Sequence, residues 1–432
     1  MVSVSDFVSE DNGTFSLTVN GFVPRTALVP FVQERGSQPD VLVKVGDRVL
    51  EGQTIAQTDS CSVQATIPGI VEDILITHFP NGKQGNAAKI NLGGSFSYTG
   101  KKQAEIDWQK YDASTIQQIL TEKGVVNTFS KCQSLTGQIK SLHPKSARIL
   151  AVRLFDDDPA RVTESFISAK FSHQVAVGAA VVARAMSANG IAFVYDSAKE
   201  NPLAAEIEKL TSVPVMACGI NAGKYPAGFM HQLVSEIKRN ATDKKPFDAI
   251  GNRDLFVDSA TLLAAFNAVV LSVPLMERYV HVTGDCLNAA AIMKVKIGTT
   301  LGDLATQCGG FKRSVAKIII NGIVTGAAVS NLSIPVTKMV KSVSFLPAKK
   351  ARKQYDEKCV RCGACRKICP VGLYPDILYR TFIHKNKATD LEKNYAATHI
   401  LCTGCGLCSA VCPSRIPLAE TAALLKGTAD EK

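Results

Sequence analysis

Two runs near the end of the chain decide how the rest is read: Cys359-Val-Arg-Cys-Gly-Ala-Cys-Arg-Lys-Ile-Cys-Pro370 and Cys402-Thr-Gly-Cys-Gly-Leu-Cys-Ser-Ala-Val-Cys-Pro413. They hold eight of the thirteen cysteines. In this spacing, C-x2-C-x2-C-x3-C-P, the first three thiolates hold three corners of a 4Fe–4S cluster and the fourth ligates the neighbouring cluster. By that rule Cys359, Cys362, Cys365 and Cys412 belong to one cluster, and Cys402, Cys405, Cys408 and Cys369 to the other. Gly363, Gly404 and Gly406 let the backbone turn around a bulky core, and Pro370 and Pro413 end the segment after each last cysteine. Zinc ribbons and disulfides are the bland alternatives. Zinc sites pair one C-x2-C with a distant second pair, a pattern these compact runs do not follow.

The chain of 432 residues is long enough for several domains, and 46% apolar with 20% charged residues is ordinary globular composition. Its net charge is +11. Part of that excess crowds beside the first cysteine run, at Lys349, Lys350, Arg352, Lys353, Lys358, Arg361, Arg366 and Lys367. A solvated basic face is one reading, and docking of an acidic redox partner or an anionic membrane surface is the other. No aromatic-interleaved basic stripe or helix-turn-helix pattern accompanies the charge, so nucleic acid is not expected. Met1-Val-Ser-Val-Ser-Asp6 lacks the basic and apolar regions of a signal peptide. The apolar stretch 260–276 contains Asn267, Ser272 and Pro274 and reads as a buried helix rather than a span. The expectation is a cytoplasmic protein with no transmembrane segment, or one peripheral on the inner face of the cell membrane.

Residues 1–100 read as all-β: short Val-, Ile- and Thr-rich runs (16–19, 41–45, 54–57, 69–76, 88–92) alternate with turn residues. Residues 105–255 change to α/β. Helical spacing at 114–123, a strand at 147–152, a helix at 175–188, a strand at 191–195, a helix at 202–210 and a strand at 213–217 alternate as parallel βαβ units. Ligands on such sheets sit beyond the carboxyl ends of the strands, which is where Asp156, Asp157 and Asp158 fall. Residues 256–346 read as a helical lead-in and a small α+β unit, with strands at 279–284 and 317–322 around a helix at 300–308. Residues 350–432 carry the cysteine runs.

Several pieces carry a family resemblance. Lys44-Val-Gly-Asp-Arg-Val49 with Gly52-Gln53, followed by Ala65-Thr-Ile-Pro-Gly-Ile-Val71, resembles the barrel-sandwich hybrid of biotinyl and lipoyl carriers. Its hairpin tip, Asp59-Ser-Cys-Ser62, has no carrier lysine. The segment around Tyr279–Gly284 and Lys317–Gly322 resembles a soluble-ligand-binding β-grasp module. Together with Pro274-Leu-Met-Glu-Arg278, Val282-Thr-Gly284, Pro335-Val-Thr-Lys338 and the cysteine runs, the whole resembles the C subunit of the Rnf electron transport complexes. The implied fold is a multidomain one: N-terminal barrel-sandwich hybrid, α/β domain like that of a flavin subunit, β-grasp, and C-terminal twin 4Fe–4S ferredoxin-like helical domain. The resemblance implies FMN and NADH on the α/β domain, with Asp156, Asp158 and Thr261 as equivalents of flavin-site residues, and electron flow from nicotinamide through flavin and clusters to a redox partner.

The chain departs from that family where phosphate is bound. The glycine-rich loop is replaced by Gly124-Val-Val-Asn-Thr-Phe-Ser-Lys-Cys-Gln-Ser-Leu-Thr-Gly137, in which Phe129, Lys131 and Gln133 stand where bare backbone amides would cradle a pyrophosphate. Lys131 supplies only a point charge in partial compensation. Cys132 beside Lys131 is a candidate low-pKa thiol, with incidental packing as the alternative. Arg153-Leu-Phe-Asp-Asp-Asp-Pro159 and Asp258-Ser-Ala-Thr261 replace the family's N-x-x-E-C-E-P and N-V-x-T segments. Two readings follow. One is an iron–sulfur electron-transfer protein with an impaired NADH and FMN site that serves a soluble reductase, as a divergent member of the proline reductase-associated kind would. The other is an NADH-oxidising peripheral subunit working with Rnf-type membrane subunits of an ion-translocating complex.

Overall fold

The computed structural model describes residues 2–3, 18–33, 38–199, 203, 209–241, 245–349, 358–384 and 389–430. The first unit is a sandwich of two antiparallel sheets. Thr26–Pro30, Gln84–Leu92, Gly69–His78 and Arg48–Val49 form one, and Asp40–Val41, Thr54–Gln57 and Ser62–Gln64 the other. Alternating residues from both close a core that includes Val29, Ile55, Val63, Ile67, Val71 and Ile90. The connection after the Gly52 turn is locked by Glu51, whose buried carboxylate accepts bonds from the Ser97, Tyr98 and Thr99 amides, the Thr99 hydroxyl and the Lys296 ammonium. Of the strands expected in this unit, 41–45 is ordered as a strand only at Asp40–Val41. Thr18–Asn20 leaves the unit altogether and pairs in parallel with Ala291–Lys296. It covers what would otherwise be an open sheet edge.

The α/β unit has a four-stranded parallel sheet in the order Val215–Ile220, Gly190–Asp196, Ile149–Arg153, Leu255–Asp258. Its central strands are buried on both faces, as parallel strands must be. Helices Ser172–Ala185 and Ser259–Val269 cover one face, and Met230–Asn240 the other. The Ser259–Val269 helix takes up the first part of the apolar stretch expected as a buried helix over 260–276 and ends before Ser272 and Pro274. It starts directly from its strand because the Asp258 carboxylate caps the Thr261 amide at 2.8 Å. The helix expected at 202–210 lies largely outside the described residues. Among the described residues no single helix is long and apolar enough to cross a membrane.

A six-stranded sheet follows, in the order Thr18–Asn20, Ala291–Lys296, Glu277–Thr283, Ser342–Leu346, Lys317–Ile320, Ala327–Val329. Ser342–Leu346 runs parallel to Glu277–Thr283 at the centre. The Leu301–Gln307 helix packs Leu301 and Leu304 onto this sheet against Val280, Ile320 and Phe345. The last unit is helical: Ala364–Ile368, Pro375–Ile383, Asp390–Ala396, Leu407–Ala410 and Leu418–Asp430.

Candidate functional site

The two cysteine runs build two copies of one backbone device. In the first, Arg361, Gly363 and Gly372 have left-handed φ of 56°, 75° and 68°; in the second, Gly404, Gly406 and Arg415 occupy the corresponding positions at 76°, 74° and 53°. Gly363 and Gly406 each turn the chain into a short helix that carries the next cysteines. The loops close around two cavities. Cys359, Cys362, Cys365 and Cys412 line one, with Val360, Ile416 and Leu418. Cys369, Cys402, Cys405 and Cys408 line the other, with Leu373, Leu378 and Leu407. Each cavity therefore draws its last cysteine from the opposite run, and the buried Leu418 side chain lines both.

The donor chemistry fits an iron–sulfur core. Burial pushes the Cys365, Cys405 and Cys408 thiols up from the ordinary cysteine value, with Asp376 adding to the effect at Cys365 and neighbouring thiols at Cys405 and Cys408. Thiols so placed become thiolates only against a cation, which an iron core supplies. The Leu373 amide donates to the Cys369 sulfur at 3.2 Å and the Gly404 amide to the Cys402 sulfur at 3.4 Å, the kind of bond that tunes a cluster. No disulfide joins the thirteen cysteines. Among the described residues no three His, Cys, Asp or Glu converge tightly enough for a single metal ion. Zinc would gather its sulfurs about 2.3 Å from one point, whereas a 4Fe–4S core spaces them around a cube.

At the carboxyl ends of the parallel strands, side chains fill the crevice. Arg153 is buried, donates to the Gly228 and Phe129 carbonyls at 2.7 and 3.1 Å, and lies 4.2 Å from the centre of the Phe129 ring. Residues 126–134 form a tight hairpin with Val126 opposite Ser134, so Phe129 points into the core. At the start of the Ser259–Val269 helix, where an anion would sit, Glu164 accepts the Ala260 amide at 2.9 Å and Asp258 accepts that of Thr261. Lys341 bridges both carboxylates, at 2.8 Å from Glu164 and 2.5 Å from Asp258. Burial and the neighbouring Asp258 raise the Glu164 carboxyl. Burial would raise Asp258 as well, but the Lys341 ammonium and the Thr261 hydroxyl hold it below the usual range.

The three residues expected as flavin-site equivalents are all engaged by the protein. Asp156 accepts the Glu164 and Ser165 amides at 3.1 Å and Arg161 at 3.2 Å. Asp158 accepts the Ile323, Val324 and Thr325 amides at 3.1, 2.9 and 2.9 Å. The Thr261 hydroxyl donates to Asp258 at 2.6 Å and accepts the Thr128 amide at 3.1 Å. These groups tie loops together rather than lining an open cleft. The Cys132 thiol donates to the Gln33 carbonyl at 2.8 Å. The hairpin tip without a carrier lysine is docked: Ser134 donates to the Ser60 carbonyl at 2.6 Å, and the buried Lys338 to those of Ser62 and Gly124 at 2.7 and 2.8 Å.

Sequence reasoning missed Tyr225, Val324 and Leu418. The Tyr225 hydroxyl donates to the Cys405 carbonyl, and the Val324 carbonyl packs on Gly406, where a Cβ would lie 2.5 Å from it. No local pattern announces such contacts. Of the basic residues beside the first run, Lys350, Arg352 and Lys353 lie outside the described residues; Arg366 forms a bidentate pair with Asp376 at 2.8 and 2.6 Å.

Comparison with known proteins agrees with this division. A family described as a 4Fe-4S dicluster domain matches residues 355–416. Another, described as the RnfC barrel sandwich hybrid domain, matches residues 16–94. The C subunit of the proton-translocating ferredoxin:NAD(+) oxidoreductase complex of Clostridium ljungdahlii is 24% identical over 82% of this chain and 78% of that protein. The C subunits of the ion-translocating oxidoreductase complexes of Yersinia enterocolitica and Buchnera aphidicola are each 24% identical, over 83% and 90% of this chain and 52% and 81% of their own lengths. The chain thus spans about half the length of several of these relatives. An air-oxidized NAD+-reducing NiFe hydrogenase structure aligns over 75% of this chain and 62% of that chain, at 15% identity and a TM-score of 0.47. With the barrel-sandwich domain at one end, the dicluster domain at the other and relatives aligned across most of what lies between, the chain is similar along most of its length to the C subunits of the Rnf electron transport complexes.

Proposed function

We propose that the protein is a two-cluster electron carrier of the Rnf C type that passes electrons to a protein partner and whose α/β domain no longer serves NADH or FMN. Cys359, Cys362, Cys365 and Cys412 would hold one 4Fe–4S cluster, and Cys369, Cys402, Cys405 and Cys408 the other. When bound, each supplies a one-electron redox couple. The protein's own part is to gather the thiolates, keep water off the second set with Leu373, Leu378, Leu407 and Leu418, and donate amides to sulfur.

The observation that carries the second half of the reading is the filled crevice. Glu164 and Asp258 take the helix amides that a phosphate would need, and Phe129 with Arg153 takes the space beside them. A pyrophosphate could enter only by displacing carboxylates already paired with Lys341. The Asp156, Asp158 and Thr261 positions are then structural remnants of a flavin site. The central six-stranded sheet supports the reading of residues 256–346 as a β-grasp module: a hairpin, a helix and returning strands, the last lying parallel beside the first. The alternative, an NADH-oxidising peripheral subunit of an ion-translocating membrane complex, draws on the 82% coverage by the Clostridium relative. Its partners would be Rnf-type membrane subunits; those of the first reading are a soluble reductase and its donor.

Metal analysis after anaerobic reconstitution tests the first half. About eight irons and about eight labile sulfides per chain are expected for two such clusters. Zinc in their place would reject the proposal.

A further inference from the structure

The two cavities differ in what surrounds them, and the difference assigns them different neighbours. Around the first, Cys359 and Cys362 are exposed, and Val360 between them is 66% exposed. Around the second, Cys405 is buried, and its loop is seated on the body of the molecule by the Tyr225 hydroxyl and the Val324 carbonyl. Asp158 fixes that seat, because its carboxylate holds the amides of residues 323–325 in place. Cys365 is buried as deeply as Cys405, so the difference lies at the loop tips: Cys359 and Cys362 of the first cavity are exposed, whereas the four cysteines of the second are all buried or half-buried.

The described part of the outward face carries an excess of cations. Between residues 358 and 376 the chain carries Lys358, Arg361, Arg366 and Lys367 against the single carboxylate of Asp376, which Arg366 neutralises. Lys358, Arg361 and Lys367 are exposed and make no ion pair among the described residues. Arg361 is exposed at the rim of the first cavity, with φ 56° in the tight turn between Cys359 and Cys362. We propose that Lys358, Val360, Arg361 and Lys367 form the docking face for a small redox protein with an acidic surface around its own redox centre, so that this partner meets the chain at the Cys359–Cys362 loop. A few like charges ringing one exposed apolar side chain steer an oppositely charged partner and orient it.

This inference rests on the two-cluster reading for its purpose, but its test is a binding measurement and stands apart from it. The probe is an acidic flavodoxin, titrated against the reconstituted full chain at low and at high salt. The face variant is Lys358→Gln with Arg361→Asn and Lys367→Gln; Asn suits the left-handed position. The control, Lys44→Gln with Lys83→Gln and Lys101→Gln, removes as many exposed charges within and just after the first unit. Wild type and control should bind alike and weaken about tenfold or more with salt, and the face variant should bind about tenfold more weakly at low salt with little salt dependence. Equal weakening of the control, or flavodoxin binding by the face variant as tight as that of wild type, would overturn the proposal. So would loss in the face variant of binding to anionic phospholipid vesicles while flavodoxin binding stays intact, since the basic face would then serve a membrane. Iron content, measured on each protein, reports separately on the two-cluster reading.

Discussion

Asp158 was legible in the sequence as an acid at the end of a buried strand, but its use was not. The sequence places it beside a ligand crevice; the fold turns it onto three amides of a turn more than 160 residues away. The cysteines behave differently, because their spacing is local and their partner chemistry narrow. Cys369→Ser should therefore perturb the centre built by Cys402, Cys405 and Cys408, and leave the one beside its own run nearly intact, as resolved by EPR. Loss of the Cys359-side centre alone would contradict the ligand division. Glu51 makes a second residue-scale prediction. Burial alone would raise its carboxyl, but donation from Lys296, Thr99 and Tyr98 brings it down from 4.5 to about 2. A depressed folded value means that the stabilisation is complete above about pH 4.5 and fades as pH falls toward 2. Glu51→Gln should cost about 1–2 kcal/mol at neutral pH and flatten the loss of stability in acid, as read from denaturant midpoints across pH.

At the scale of elements, the strands and helices of the parallel sheet were legible from apolar runs and helical spacing, because each buries its own periodic pattern. Thr18–Asn20 was assigned to the wrong sheet, since a three-residue strand carries no mark of which edge it will cover. The segment 126–134 reads in sequence as a loop that has lost its glycines. It folds as a hairpin with Phe129 driven into the core, because an apolar ring beside Arg153 and Phe256 gains more from burial than from solvent. The seat of the second cysteine loop is tight enough to be sensitive to substitution. Gly406 has φ 74°, and a Cβ there would lie 2.5 Å from the Val324 carbonyl oxygen. Gly406→Ala should destabilise the chain by about 1–3 kcal/mol and lower the iron retained at the Cys369-side centre. Thermal unfolding with iron analysis checks both, and unchanged values would show that the seat is loose.

At the scale of the whole molecule, the cluster domain and the N-terminal sandwich were readable from short motifs, whereas the state of the crevice between them was not. It depends on Lys341 reaching Glu164 and Asp258 from another sheet, and on Arg153 spanning Phe129 and Gly228. Those pairings exist only after distant segments have packed. They make the central claim a joint one: clusters at one end, and no working nicotinamide or flavin site behind them. The most direct test is the absorbance of the anaerobically reconstituted chain, incubated with FMN, desalted, and titrated first with NADH and then with dithionite. The account predicts broad iron–sulfur absorbance without flavin bands, unchanged by NADH and bleached by dithionite. Resolved flavin bands that bleach stoichiometrically and rapidly with NADH would contradict it.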